Sequence, residues 1–136
     1  MPGPITVVAS GNTPFDLVTA IDNSHRDVFF DAPLAALFGE NAPENQNLFT
    51  KENSDYASTS FDKAVGKLWM GMLRPEQVRV IRGQIGAAKK RGLVARYWDT
   101  PSWPVKDREH VWGVLVREGV GMLGVDDLEG VRRRFW

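Results

Sequence analysis

Polar and aromatic side chains recur where the strand-like segments of this 136-residue chain end. They are Ser10 and Asn12, Asp31, Ser58 and Ser60, Arg96, Trp98 and Asp99, and Asp126 and Asp127. A purely structural surface would not need polar groups at every strand end. Hydroxyl, amide and guanidinium groups donate hydrogen bonds that suit phosphate oxygens. Asp also caps helices, so capping alone could explain Asp126 and Asp127, and Asp31 is open to the same interpretation.

Arg96 is the charged residue of an otherwise apolar and aromatic segment, residues 93–98, which reads as a buried strand. Because side chains alternate along a strand, Arg96 shares a face with Val94 and Trp98. The alternate residues are uniformly apolar and suit packing against helices. A charge on the inner face must be paired. A phosphate could pair it, and so could a carboxylate such as Asp31, which would then be a purely structural ion pair.

Further residues could complete a phosphate site. Lys63 or Lys67 could add positive charge near the phosphate. Trp98, Trp103 and Trp69 could rim the mouth of the site, because aromatic rims suit lipid head groups, sugars or quaternary amines. Simple packing is the alternative interpretation for at least one of these three tryptophans.

The elements that must position these residues alternate between strand and helix. Strands are predicted at residues 5–9, 27–30, 56–61, 93–98 and 120–125, and helices at 14–21, 33–38, 75–91, around 111–116, and after a cap at Asp126. Gly92 suits the helix-ending position that needs a positive φ. Residues 40–55 are polar and Asn-rich, which indicates a solvated loop. Strands alternating with helices predict an α/β fold with a parallel sheet.

Length and composition predict one domain over residues 1–136. The formal net charge is zero, so electrostatics gives no reason to expect nucleic acid or an anionic membrane as a partner. The chain has no cysteine, which excludes disulfides, thiol catalysis and cysteine metal sites. No apolar run is long enough to span a membrane and no signal peptide is visible, so the compartment stays unknown.

Several longer motifs resemble the later part of a known family. They are GNTPFDLV, DVFFDAPL, YASTSF, PEQVRVIRGQI, RGLVARYWDTPSWP and GVGMLGVDDL. In them the chain is similar to fungal proteins named altered inheritance of mitochondria protein 6, which resemble phospholipase-C-like phosphodiesterases. The resemblance implies a phosphoric diester hydrolase of lipids. It also implies a partial TIM-type barrel, in which the five strands would be barrel strands four to eight, and barrel chemistry lies at the carboxyl ends of strands.

The resemblance further implies that part of the catalytic machinery lies elsewhere. In the superfamily, the catalytic histidines and the Glu and Asp residues that hold Mg²⁺ or another divalent cation come mainly from the first strands, which would precede residue 5. No residue of this chain matches them. His25, just before a strand, and His110, within an outer helix, are therefore interpreted as surface or structural histidines.

Two classes of function remain. The first is a metal-dependent hydrolase of lipid or related phosphodiesters that is incomplete as this chain alone. The second is a non-catalytic remnant, or a module that binds phosphate or a lipid head group. In both cases five of eight strands cannot close a barrel, so the edges at residues 5–9 and 122–125 should be unpaired and should favour self-association.

Overall fold

The computed structural model describes residues 4–20, 24, 26–40, 42 and 48–136, and its centre is one parallel sheet. The strands are β1 (Val7–Ala9), β2 (Val28–Pro33), β3 (Ser54–Ser60), β4 (Val94–Trp98) and β5 (Met122–Leu123). They lie in sequence order, and each pairs in parallel with the next, so β1 and β5 form the edges. The predicted α/β fold with five parallel strands is confirmed, whereas the partial barrel stays a prediction.

Helical segments connect the strands. They are α1 (Phe15–Thr19), a 3₁₀ helix (Leu34–Leu37), α2 (Phe61–Ala64), α3 (Pro75–Lys90), α4 (Val105–Arg117) and α5 (Leu128–Phe135). Pro75 is the first residue of α3. The N–H at this position has no partner within a helix, so proline costs no hydrogen bond there. The Arg74 amide donates to the Gln77 side chain at 2.9 Å and so closes the same end. Gly92 ends α3 with a φ of 72°, as predicted.

The hydrophobic core lies between the sheet and the long helices α3 and α4. Alternation along β4 places Ala95 and Tyr97 in the core, opposite Ile81 of α3. The Tyr97 hydroxyl donates to Gln84 Oε1 of α3 at 2.8 Å, so this buried contact is both polar and apolar. Arg96, on the opposite face of β4, is only half-buried. The core therefore fixes the central strands, while Arg96 on their second face stays partly accessible.

The predicted bounds of two strands differ most from the structure. β2 continues to Pro33, so Asp31 lies within the strand and not after it, because pairing with β3 carries the strand across an irregularity between Phe30 and Asp31. β5 has two residues, against the predicted 120–125. The glycines at 121 and 124 weaken its extension, since glycine offers no side chain to pack.

The prediction of a solvated loop at residues 40–55 is also wrong in its second half. Residues 41 and 43–47 lie outside the described residues. Phe49, however, is only 6% exposed, and its ring stacks on Phe30 with centroids 5.8 Å apart. One aromatic side chain thus anchors this polar segment to the sheet. In the part of the chain that the structure describes, no helix has the length and apolarity needed to cross a membrane.

Candidate phosphate site

A cleft of about 400 Å³ lies at the carboxyl ends of the first four strands. We call it the carboxyl-end cleft. It brings together five residues that the sequence singled out: Asp31, Ser58, Ser60, Lys63 and Trp98. They come from β2, β3, α2 and β4, so residues distant in sequence converge because neighbouring parallel strands end at the same edge of the sheet.

The sheet register places three of the polar residues on one face. Asp31 pairs with Tyr56, and Ser58 pairs with Arg96. Tyr56 and Ser58 are two residues apart on β3, so their side chains point the same way. Asp31, Ser58 and Arg96 therefore project from the same side of three adjacent strands, away from the core contact of Tyr97.

Burial has the largest influence on the pKa of Asp31. Burial raises the pKa of Asp31 above its ordinary value, while Ser58 and the Arg96 guanidinium lower it by smaller amounts. Ser58 therefore lies close to the carboxyl. Even so, Asp31 Oδ1 and Ser58 Oγ are both buried without a hydrogen-bond partner of good geometry among the described residues. The Asp31 oxygen could accept a hydrogen bond from a ligand, and the Ser58 hydroxyl could donate one or accept one.

Arg96 forms no salt bridge with any described residue. Its charge reaches Asp31 only as a longer-range attraction. The purely structural ion pair with Asp31 is therefore absent at contact distance. A half-buried guanidinium without a counter-charge at contact distance is costly, and an anionic ligand would offset that cost.

Ser60 and Asp99 connect the carboxyl-end cleft to a neighbouring one. The Ser60 hydroxyl donates to Asp99 Oδ2 at 2.9 Å and accepts from the Lys63 amide at 3.3 Å, which caps α2. The second cleft, of about 420 Å³, is lined by Asp99, Trp103 and Lys67 among others. Both clefts thus contain residues predicted for the site, joined by one hydrogen bond.

The remaining predicted residues lie farther out. Trp69 is exposed, lines neither cleft, and lies against the Arg74 guanidinium at 5.5 Å. Asn12 is exposed in the turn after β1 and also lines neither cleft, although its neighbour Gly11 does. Trp98 and Trp103 are exposed at the two clefts, so the predicted aromatic rim consists of two tryptophans rather than three.

Sequence reasoning missed an aromatic wall of the carboxyl-end cleft. Phe15, Phe30 and Phe49 line it and contact one another, with Phe15 edge-on to Phe30 at 5.1 Å and to Phe49 at 5.2 Å. A usable signal was present, because Phe49 is the one aromatic residue in the polar stretch 40–55. The cleft therefore has one polar and one apolar wall.

Comparisons with known proteins identify the family that this chain resembles. The family model of the AIM6-like phosphodiesterase domain matches residues 1–31. Altered inheritance of mitochondria protein 6 homolog from Arthroderma benhamiae is 38% identical over 99% of this chain, and altered inheritance of mitochondria protein 6 from Eremothecium gossypii is 34% identical over 96%. The resemblance to the altered inheritance of mitochondria protein 6 family is confirmed. The chain spans 40% and 34% of the lengths of these two relatives. No solved structure gives a significant match.

His110 lines neither of the two clefts. His110 Nε2 accepts a hydrogen bond from the Leu73 amide at 3.2 Å, which ties α4 to the segment before α3. This contact is structural, in line with the interpretation from sequence. His25 lies outside the described residues.

The two aspartates that precede α5 also have distinct positions. Asp127, and not Asp126, caps α5 by accepting from the Gly130 amide at 2.8 Å. Asp127 also pairs with Arg108 at 2.9 Å. The capping interpretation therefore holds for Asp127 and not for Asp126, which is exposed.

A divalent cation does not fit the residues described. Within residues 4–20, 24, 26–40, 42 and 48–136, no group of three or more His, Cys, Asp or Glu side chains is arranged to hold a metal ion. Asp31 and Asp99 come from neighbouring clefts, and Asp99 already accepts from Ser60.

Proposed function

We propose that the carboxyl-end cleft binds the phosphate of a phosphodiester, and that the chain forms part of a phospholipase-C-like phosphoric diester hydrolase acting on lipids. One observation carries this proposal: Arg96, which lines neither cleft and forms no salt bridge with a described residue, pairs across the sheet with Ser58 of the carboxyl-end cleft, which also contains Lys63. The guanidinium and the ammonium supply positive charge, and the Ser58 hydroxyl supplies an unpaired donor. Charge-assisted hydrogen bonds from such groups are the strong contacts to phosphate.

The apolar wall supports a lipid-like substrate. Phe15, Phe30 and Phe49 face the same cleft as the polar residues, and Trp98 is exposed at its border. A phosphodiester with an apolar substituent would place its charge on one wall and its hydrocarbon on the other. Binding pockets commonly combine a mostly apolar lining with a few placed polar groups. The proposed ligand is therefore amphipathic.

Turnover would need groups beyond those described. Among the described residues no histidine lines either cleft, and a general acid or base must lie within hydrogen-bond reach of the proton it moves. We propose that these groups, and the ligands of any Mg²⁺ or other divalent cation, come from other segments of a longer protein. The second candidate, a non-catalytic module that binds phosphate or a lipid head group, would use the same cleft without those segments.

The test compares binding and turnover in one set of proteins. A soluble lysophospholipid, below its micelle concentration, should bind the wild-type chain, and Arg96→Ala should weaken binding by roughly 10-fold or more. Arg96→Lys should restore part of the affinity, because the charge remains and the bidentate geometry does not. The matched control is Arg79→Ala, an exposed arginine of α3 outside both clefts, which should bind as the wild type does.

Turnover separates the two candidate functions. The purified chain with Mg²⁺ should not hydrolyse the lysophospholipid or an aryl phosphodiester at a detectable rate. Clear turnover would refute the proposed incompleteness, while equal binding by wild type and Arg96→Ala would refute the cleft itself. Activity that appears only when the preceding segments of a family member are added would select the enzyme over the binding module.

A further inference from the structure

The terminal helix α5 and the edge strand β5 border an apolar groove of about 670 Å³, here called the α5 groove. Val116, Leu123 and Val125 line it, together with Leu128 and Trp136. Leu128 is 76% exposed and Trp136 is 89% exposed. Tryptophan is among the usual anchors of protein interfaces, and an exposed apolar patch of this kind marks a contact surface.

The charges around α5 are ordered along its axis. Asp126 and Glu129 lie at its start, and Arg132, Arg133 and Arg134 lie in its last turn. Arg132 and Arg133 contact Glu129 at 2.9 Å and 3.8 Å within the helix, but all three side chains are more than half exposed. Exposed pairs of this type contribute little, so these arginines can exchange partners at low cost. Asp126 forms no salt bridge with any described residue.

The charges of two α5 helices would be complementary if the helices lay antiparallel to each other. We propose that the α5 groove is the interface of a two-fold dimer of this chain, with α5 lying antiparallel to α5 of a second copy. The acidic start of each helix then meets the basic end of the other, and Trp136 of each copy enters the groove of its partner. A two-fold contact of this kind uses one surface twice and closes at two subunits.

The size of the surface sets the expected affinity. α5 has eight residues and is about 12 Å long, so the contact is small compared with a standard interface of ~800 Å² per partner. We expect a Kd on the order of 100 µM. The short edge strand β5 beside the groove adds little backbone pairing, so side chains decide the association.

A charge-swap experiment tests the antiparallel geometry. Sedimentation velocity on the wild-type chain over a concentration series should show a monomer–dimer equilibrium. Asp126→Lys and Arg133→Glu should each weaken the dimer by roughly 5-fold or more, because each places like charges opposite one another. Mixing the two variants should restore association as a mixed dimer, and the double variant should restore the homodimer. Arg79→Glu, a charge change elsewhere, should have no effect.

A second variant tests the apolar anchor. Trp136→Ala removes the exposed terminal ring without touching the core, so its circular dichroism spectrum should match the wild type while dimerisation is lost. A wild-type chain that is monomeric at about ten times the expected Kd would overturn the proposal and leave the groove to another segment or partner. Association that survives Trp136→Ala, that forms larger aggregates, or that is not restored by mixing the charge variants would also overturn it.

Discussion

The centre of the sheet and its edges are built in different ways. β3 and β4 pair along five residues, and their core-facing side chains Ala57, Ala95 and Tyr97 are almost completely buried. β1 and β5 pair along three and two residues, and Val7 and Met122 remain exposed. The free energy of folding therefore comes mainly from the centre, because buried apolar area provides most of it. The edges contribute surfaces for contact rather than stability.

The candidate site lies across this difference. Ser58 and Ser60 belong to the central strand β3 and are positioned by its full length of pairing. The aromatic wall depends on Phe15, which lies in the short α1 after the edge strand. A ligand would thus bind between a rigid wall and a less constrained one, which suits a cleft that adjusts to an amphipathic molecule.

The largest expected effect comes from comparing the same substitution, isoleucine to alanine, at the centre and at the edge of the sheet. Ile81→Ala should lower the free energy of unfolding by about 2–5 kcal/mol, because Ile81 is 0% exposed and its loss leaves a cavity. Ile5→Ala, at a position that is 71% exposed beside β1, should change it by less than about 0.5 kcal/mol. Urea unfolding followed by tryptophan fluorescence measures both. Equal costs would show that the edge is as well supported as the centre.

A smaller effect tests how far the centre depends on a polar contact. Tyr97→Phe removes the hydroxyl that donates to Gln84 Oε1 and leaves a buried amide oxygen without that partner. The expected cost is about 1–3 kcal/mol. Tyr97→Phe combined with Gln84→Leu should recover much of this loss, since both polar groups are then removed together. A double variant that is no more stable than Tyr97→Phe alone would mean that the hydrogen bond is not the cause.

Sequence reasoning succeeded where local chemistry dictates structure. Gly92 ends α3 because glycine tolerates its positive φ, and the apolar alternation of β4 gives its buried face. The position of Ser58 and Ser60 at the carboxyl edge of the sheet followed from the predicted order of parallel strands. These features depend on a few neighbouring residues, or on a rule that holds for every parallel sheet.

Sequence reasoning failed where packing against residues distant in the sequence determines the structure. The burial of Phe49 depends on rings from α1 and β2, and a single aromatic residue in a polar stretch does not identify those distant partners. β2 runs past its apolar residues to include Asp31, because β3 supplies pairing partners there. Tertiary context of this kind overrides propensity in strands more than in helices. The missed aromatic wall and the misplaced strand end have this common origin.

The smallest expected effect concerns Asp31, on β2 between the centre and the edge. Burial raises its pKa, so between the ordinary carboxyl range and the raised value the folded state binds more protons than the unfolded state. The contribution of Asp31 to the free energy of unfolding therefore falls as pH rises through that window, and it stays lower at higher pH. Asp31→Asn should match the wild type at low pH and be more stable near neutral pH. Because the carboxyl is only about half buried, the gain should be below about 1 kcal/mol.

The difference between wild type and Asp31→Asn isolates this group, because carboxyls whose pKa is lowered, such as those of Glu118 and Glu129, titrate alike in both proteins. Urea unfolding at a series of pH values gives the difference curve, and a gain that shrinks as pH rises would contradict the buried-carboxyl interpretation. Binding gives an independent reading. Removing the negative charge beside Ser58 and Arg96 should tighten phosphodiester binding at neutral pH, and weaker binding by Asp31→Asn would instead assign Asp31 a direct attractive contact with the ligand.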